Sequence, residues 1–216
     1  PREGQSNLYQ KLATGVGNDE LLLKSDEPKV PTDWSPDGRH VLFMRLGQKG
    51  FDLWALPLFD ERQPVPFLRT DFWEGSGRFS PDGRWVTYVS TESGKAEVYV
   101  QSFPASDGKW KISNGGGASP HWRRDGRELF YLSDEREGVE VKLMAVEVDG
   151  SGDTFEASLP KRLFELRVGG PGGLGPHYDV TADGQRFLVN TPVEENAPSS
   201  PSPVTVVTNW AARLKR

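Results

Sequence analysis

Four side chains in this 216-residue sequence could act together: Asp33, Arg78, His121 and His177. Each directly precedes the aromatic of a recurring segment (Trp34, Phe79, Trp122, Tyr178), so a repeated fold delivers them to equivalent places. Two imidazoles and a carboxylate are donors that a divalent transition metal accepts, which would make the group the centre of a metal-dependent hydrolase or lyase. Converging near one channel mouth, the four could equally bind another ligand; the simpler account is a polar, hydrated channel lining. Spacing alone does not set their directions, because side chains alternate between strand faces. No cofactor is expected, with a divalent metal as the alternative.

Other chemical signals are weaker. There is no cysteine, which removes thiol nucleophiles, disulfides and zinc ribbons. Gly170-Pro171-Gly172-Gly173-Leu174-Gly175 matches a phosphate-loop pattern but precedes a strand, so the helix N-terminus that such a loop needs is missing. Asp149-Gly150-Ser151-Gly152-Asp153 opens like a calcium loop, yet Pro160 stands where the bidentate glutamate belongs; a hairpin turn accounts for it. No Gly-x-Ser-x-Gly, His-Glu-x-x-His or Walker segment occurs. The acidic neighbours Asp134-Glu135 and Glu194-Glu195 read as solvated loops, and His40 as a surface histidine beside a turn. Arg39, Arg84 and Arg127 recur after Asp-Gly and belong to the repeat. Trp34, Phe79 and Trp122 read as core; Trp73 and Trp110 fall outside the repeated positions and are candidates for a binding surface.

The elements that must position these residues follow from the repeat. An aromatic-x-x-Asp-Gly core recurs at Asp37-Gly38, Asp82-Gly83, Asp125-Gly126 and, degraded, Asp183-Gly184, at a period of about 43–45 residues with a longer last step. Ser-Pro-Asp-Gly places proline at the second position of a type I turn and glycine at a left-handed position, and the Asp carboxylate accepts N–H groups of its own turn. A β-rich run follows each turn, then a second, then a weaker third. Four-stranded antiparallel units at this period, each led by an aromatic, mean an all-β propeller. The divisions are a half blade at 6–24, blades at 31–69, 75–113 and 118–166, and a last partial blade at 176–210. About four to five blades are present, a truncated ring within one domain, and its unpaired edges predict self-association.

Composition agrees. Gly 24 and Pro 17 favour turns and sheets over helical bundles. With 26 Lys+Arg against 31 Asp+Glu the net charge is −5, which argues against nucleic acid as a partner. No window is apolar for the length of a membrane span. The sequence begins Pro1-Arg2 and reads as a piece of something longer.

Trp34-Ser35-Pro36-Asp37-Gly38-Arg39 and Phe79-Ser80-Pro81-Asp82-Gly83-Arg84 resemble TolB-like (WD-repeat-like) propeller repeats. The segment from Trp122 to Tyr131, with the ending Val204 to Trp210, is similar to the C-terminal propellers of bacterial Ser/Thr protein kinases. That resemblance implies a non-catalytic sensor or scaffold with a protein, peptide or small-ligand partner. The compartment is left open, extracytoplasmic if a membrane-spanning kinase precedes the propeller. Kinase motifs are missing from the sequence. Because TolB-like blades also gate serine peptidases, an accessory propeller of such an enzyme is a further alternative.

Overall fold

The computed structural model describes residues 7–106, 108–133, 140–167 and 178–191. His177, both acidic pairs, the glycine-rich stretch at 170–175 and the part of the last partial blade beyond 191 lie outside them.

The described residues contain strands and turns and no helix. β1 (Leu8–Gln10) and β2 (Glu20–Leu23) form a two-stranded sheet. β3 (Lys29–Trp34), β4 (His40–Leu46), β5 (Phe51–Pro57) and β6 (Val65–Leu68) form an antiparallel meander, and β7 (Glu74–Phe79), β8 (Trp85–Ser90), β9 (Glu97–Ser102) and β10 (Lys109–Lys111) form another. The next sheet runs β11 (Ala118–Trp122), β12 (Glu128–Ser133) and β13 (Glu140–Asp149). Along its length β13 pairs both with the short β14 (Glu156–Ala157) and with β15 (Lys161–Arg167). β16 (Tyr178–Val180) and β17 (Phe187–Val189) close the series as a hairpin. These are sheets of an all-β propeller whose first and last members each show two strands among the described residues.

Each meander is started by the repeated turn. Gly38, Gly83 and Gly126 donate N–H to the carbonyls of Ser35, Ser80 and Arg123 at 2.8–2.9 Å, with φ of 71°, 74° and 73°. That left-handed region admits glycine without steric cost. The oxygens of Asp37, Asp82, Asp125 and Asp183 accept the N–H two residues on at 3.0–3.1 Å. A Cβ on Gly83 would stand 3.6 Å from Pro36, and one on Gly126 3.6 Å from Pro81, so each of these turns rests on the turn of the sheet before it.

Packing between sheets follows the same order. Phe79 is 5% exposed and lies against Leu42, Leu53, Ala55 and Phe67 of the preceding sheet. Trp122 joins Val98, Val100 and Trp85 of its own predecessor. Trp34 departs from the expectation of a core position: it is 47% exposed, because the sheet before it contributes only β1 and β2 among the described residues. Trp73 and Trp110 depart in the other direction. Both are partly buried in the packing between sheets, Trp110 edge-on to Trp85 at 5.4 Å, so neither is a free binding surface. His40 is likewise packed, edge-on to Phe59 and Phe103 at 5.4 and 5.0 Å.

Polar groups within the core are paired by the loops. Glu97 is fully buried; burial pushes its carboxyl up, but Ser113, the Gly115 and Gly116 N–H groups and Lys111 hold it below the ordinary value on balance. A buried carboxylate held by several donors stays ionised and ties its loop to the sheet.

Candidate functional site

The first strand of each of the three larger sheets is irregular at one spot. Register shifts fall between Pro31 and Asp33 in β3, Gly75 and Arg78 in β7, and Ala118 and His121 in β11. Ser76 and Ser119, two residues before Arg78 and His121, hold left-handed φ of 53° and 51°. A bulge bends its strand and re-aims the next side chain, and strained backbone of this kind gathers at functional sites. Immediately after the bulges stand Asp33, Arg78 and His121, paired across to Leu42, Thr87 and Phe130.

These three form a row. β7 touches β3 on one side and β11 on the other, which places Arg78 between the other two. Asp33 Oδ2 accepts the Phe79 N–H at 2.8 Å, so this carboxylate also fastens the second sheet to the first. Burial raises the Asp33 carboxyl, opposed by the Phe79 and Trp34 N–H groups and the charge of Arg78. The Arg78 carbonyl accepts the Trp122 indole N–H at 3.3 Å. Burial and then Arg78 push the His121 imidazole down, opposed by the Ser119 carbonyl and by Asp179, so His121 is neutral at neutral pH. Its Nδ1 lies 3.3 Å from the Ser119 carbonyl, which can only accept; Nδ1 therefore carries the proton and Nε2 keeps its lone pair. The ring packs at 4.8 Å from Tyr178.

At the fourth position the strand register adds a residue to the expected one. Val180 pairs with Phe187 as Trp34 pairs with Val41 and Trp122 with Leu129, so the residue matching His121 is Asp179. His177 lies outside the described residues. Aligning on the aromatic Tyr178 pointed to His177; aligning on the Asp183-Gly184 turn points to Asp179, and the strand register follows the turn.

The row can offer an ionised guanidinium, carboxylate acceptors and a neutral imidazole to one ligand. As a metal centre it fits poorly: a cation already stands between Asp33 and His121, and among the described residues no three His, Asp or Glu side chains gather for an ion. Ser119 meets His121 through its backbone carbonyl.

No family model matches the chain. It is 25% identical over 204 residues to an uncharacterised protein of Agrobacterium fabrum, covering 88% of this chain and 64% of that protein. It is 29% identical over 108 residues to the Tol-Pal system protein TolB of Anaeromyxobacter dehalogenans, covering 49% of this chain and 24% of that one. The chain thus spans less than two thirds of either relative. The solved structure of a TolB-like protein of Agrobacterium tumefaciens superposes with a TM-score of 0.63 at 21% identity, over 76% of this chain and 58% of that one. With the meanders and turns described above, these likenesses show a TolB-like β-propeller fold.

Proposed function

We propose that this chain is a non-catalytic propeller module that binds a protein or peptide segment at the mouth of its channel, with Asp33, Arg78, His121 and Asp179 as the contacting row. The observation that carries the reading is the repeated bulge, strained at Ser76 and Ser119 in two of its three occurrences, which aims polar side chains of different charge. A row of carboxylate, guanidinium and neutral imidazole suits the mixed donors and acceptors of a peptide. The finer reading is a sensor or interaction part of a larger bacterial protein such as a receptor-type Ser/Thr kinase, supported by the resemblance of the Trp122–Tyr131 repeat. The first and last sheets each show two strands among the described residues, which supports self-association as part of the reading.

Selection of peptides from a random displayed library, followed by calorimetry, tests the module. A selected peptide is expected to lose about tenfold or more in affinity on Arg78→Glu and less on His121→Ala. Affinity unchanged in both variants rejects the channel mouth. Turnover of peptide or glycan substrates that disappears with His121→Ala replaces the module by the enzyme reading.

A further inference from the structure

Among the described residues, Arg78 is the one partly buried arginine without a partner for its guanidinium. The others are matched. The Arg45 guanidinium lies 3.6 Å from the centre of a Trp54 ring, Arg62 donates to Glu20 at 2.5 Å, and Arg123 donates to Asp125 at 2.8 Å and to Glu128 at 2.7 Å. The Arg78 side chain makes no hydrogen bond and no ion pair among the described residues. Burial strips water from a guanidinium, and donors left unbonded there cost stability that a bound acceptor returns.

The groups on either side are committed elsewhere. Asp33 turns Oδ2 to the Phe79 N–H at 2.8 Å rather than to the guanidinium. His121 turns Nδ1 to the Ser119 carbonyl at 3.3 Å, and its Nε2 lone pair meets no donor among the described residues. Burial raises the Asp33 carboxyl and lowers the His121 imidazole; the Arg78 charge opposes the first shift and adds to the second. The cation therefore faces the row, between these two side chains.

We propose that Arg78 takes a carboxylate of the bound peptide while Nε2 of His121 accepts the backbone N–H beside that carboxylate, a deepening of the channel-mouth reading that rests on it. The paired N–H groups of a guanidinium match the two oxygens of a carboxylate. Asp33 on one side of Arg78 and Asp179 beyond His121 disfavour a doubly charged phosphate more than a singly charged group. An aspartate, or the last residue of a chain, also carries its own N–H close to its carboxylate, which suits a lone pair standing next to a cation.

In phosphate-free buffer, N-acetylglycine presents a chain-terminal carboxylate, N-acetylaspartate amide a side-chain carboxylate, and N-acetylasparagine amide a neutral isostere. Each is titrated into the isotope-labelled chain, with the His121 ring and the Trp122 indole N–H, which donates to the Arg78 carbonyl, as reporters. At least one carboxylate should shift both reporters saturably and bind about tenfold or more tighter than the asparagine amide; the tighter of the two carboxylates identifies the source. Arg78→Gln should abolish the shifts. Arg78→Lys, which serves if the glutamine variant does not fold, should weaken binding about threefold. Equal binding of the asparagine amide, tighter binding of inorganic phosphate than of either carboxylate, or shifts that survive Arg78→Gln would each overturn the proposal. So would a library-selected peptide that loses affinity on Arg78→Glu yet withstands both amidation of its C-terminus and replacement of its acidic residues. That last outcome leaves the module reading standing.

Discussion

At Glu74, which begins the second four-stranded sheet, a carboxyl is 1% exposed; the Thr70 hydroxyl bonds one oxygen and the other has no hydrogen-bond partner among the described residues. Burial pushes this carboxyl up, Thr70 opposes the shift, and the charges of Asp52 and Glu92 add to it. A folded-state value above the unfolded one means that the folded state binds the proton more tightly. Stability is therefore greatest when Glu74 is protonated and falls as pH rises from the unfolded value, about 4.3, through the raised folded one. Glu74→Gln removes a charge from a poor solvent while keeping the shape and a bond to Thr70. The variant should melt higher than the parent at pH 8, with the gap closing as pH is lowered toward 4. Thermal melts of both chains across that range measure it, and a gap independent of pH would assign the effect to packing instead.

Between the sheet of β7–β10 and the sheet of β11–β15, one polar contact is made by an arginine and a hairpin. Arg84 donates to the Gly150 and Ser151 carbonyls at 3.1 and 2.9 Å and to the Gly152 carbonyl at 2.6 Å, while the neighbouring Trp85 indole donates to Gly150 at 2.9 Å. All three carbonyls bonded by Arg84 are near solvent, so water replaces a lost guanidinium and Arg84→Ala costs about 1 kcal/mol or less. The local effect should be larger than the global one. Amide exchange across residues 150–154 is expected to accelerate with little change in melting temperature; unchanged exchange would mean that Trp85 alone holds the hairpin. Arg84 shows what could be read from the sequence and what could not. Its recurrence after Asp-Gly marked it as part of the repeat, because a turn is encoded by adjacent residues and their φ preferences. Its partner in the next sheet depends on how two sheets meet, which no local pattern encodes. The bulges before Asp33, Arg78 and His121 were hidden for the same reason: a bulge is a mismatch between two strands, and only Gly75-Ser76-Gly77 and Gly116-Gly117 hinted at one.

For the whole molecule the decisive contrast is Trp34 against Phe79, which hold one repeat position at 47% and 5% exposure. Phe79 is covered by the β4 and β5 side chains of the sheet before it. Over Trp34 the matching sheet presents β1 and β2 alone, and β1 pairs only with β2 among the described residues. An indole half in water beside an unpaired strand edge is the arrangement that recruits another strand pair, since the edge supplies hydrogen bonds and the ring supplies apolar area. A second copy of the chain, which carries its own exposed edges, can supply that cover. Light scattering should therefore return a mass of at least twice the 24.0 kDa of one chain. Trp34→Lys, which leaves the Phe79 and Trp122 packing untouched, should shift the mass toward 24.0 kDa by placing a charge where the partner sheet would lie. A parent chain that already scatters as 24.0 kDa at tens of micromolar would show that Trp34 and the β1 edge tolerate water. That result would leave the proposed row at the channel mouth as the surface on which a partner is to be sought.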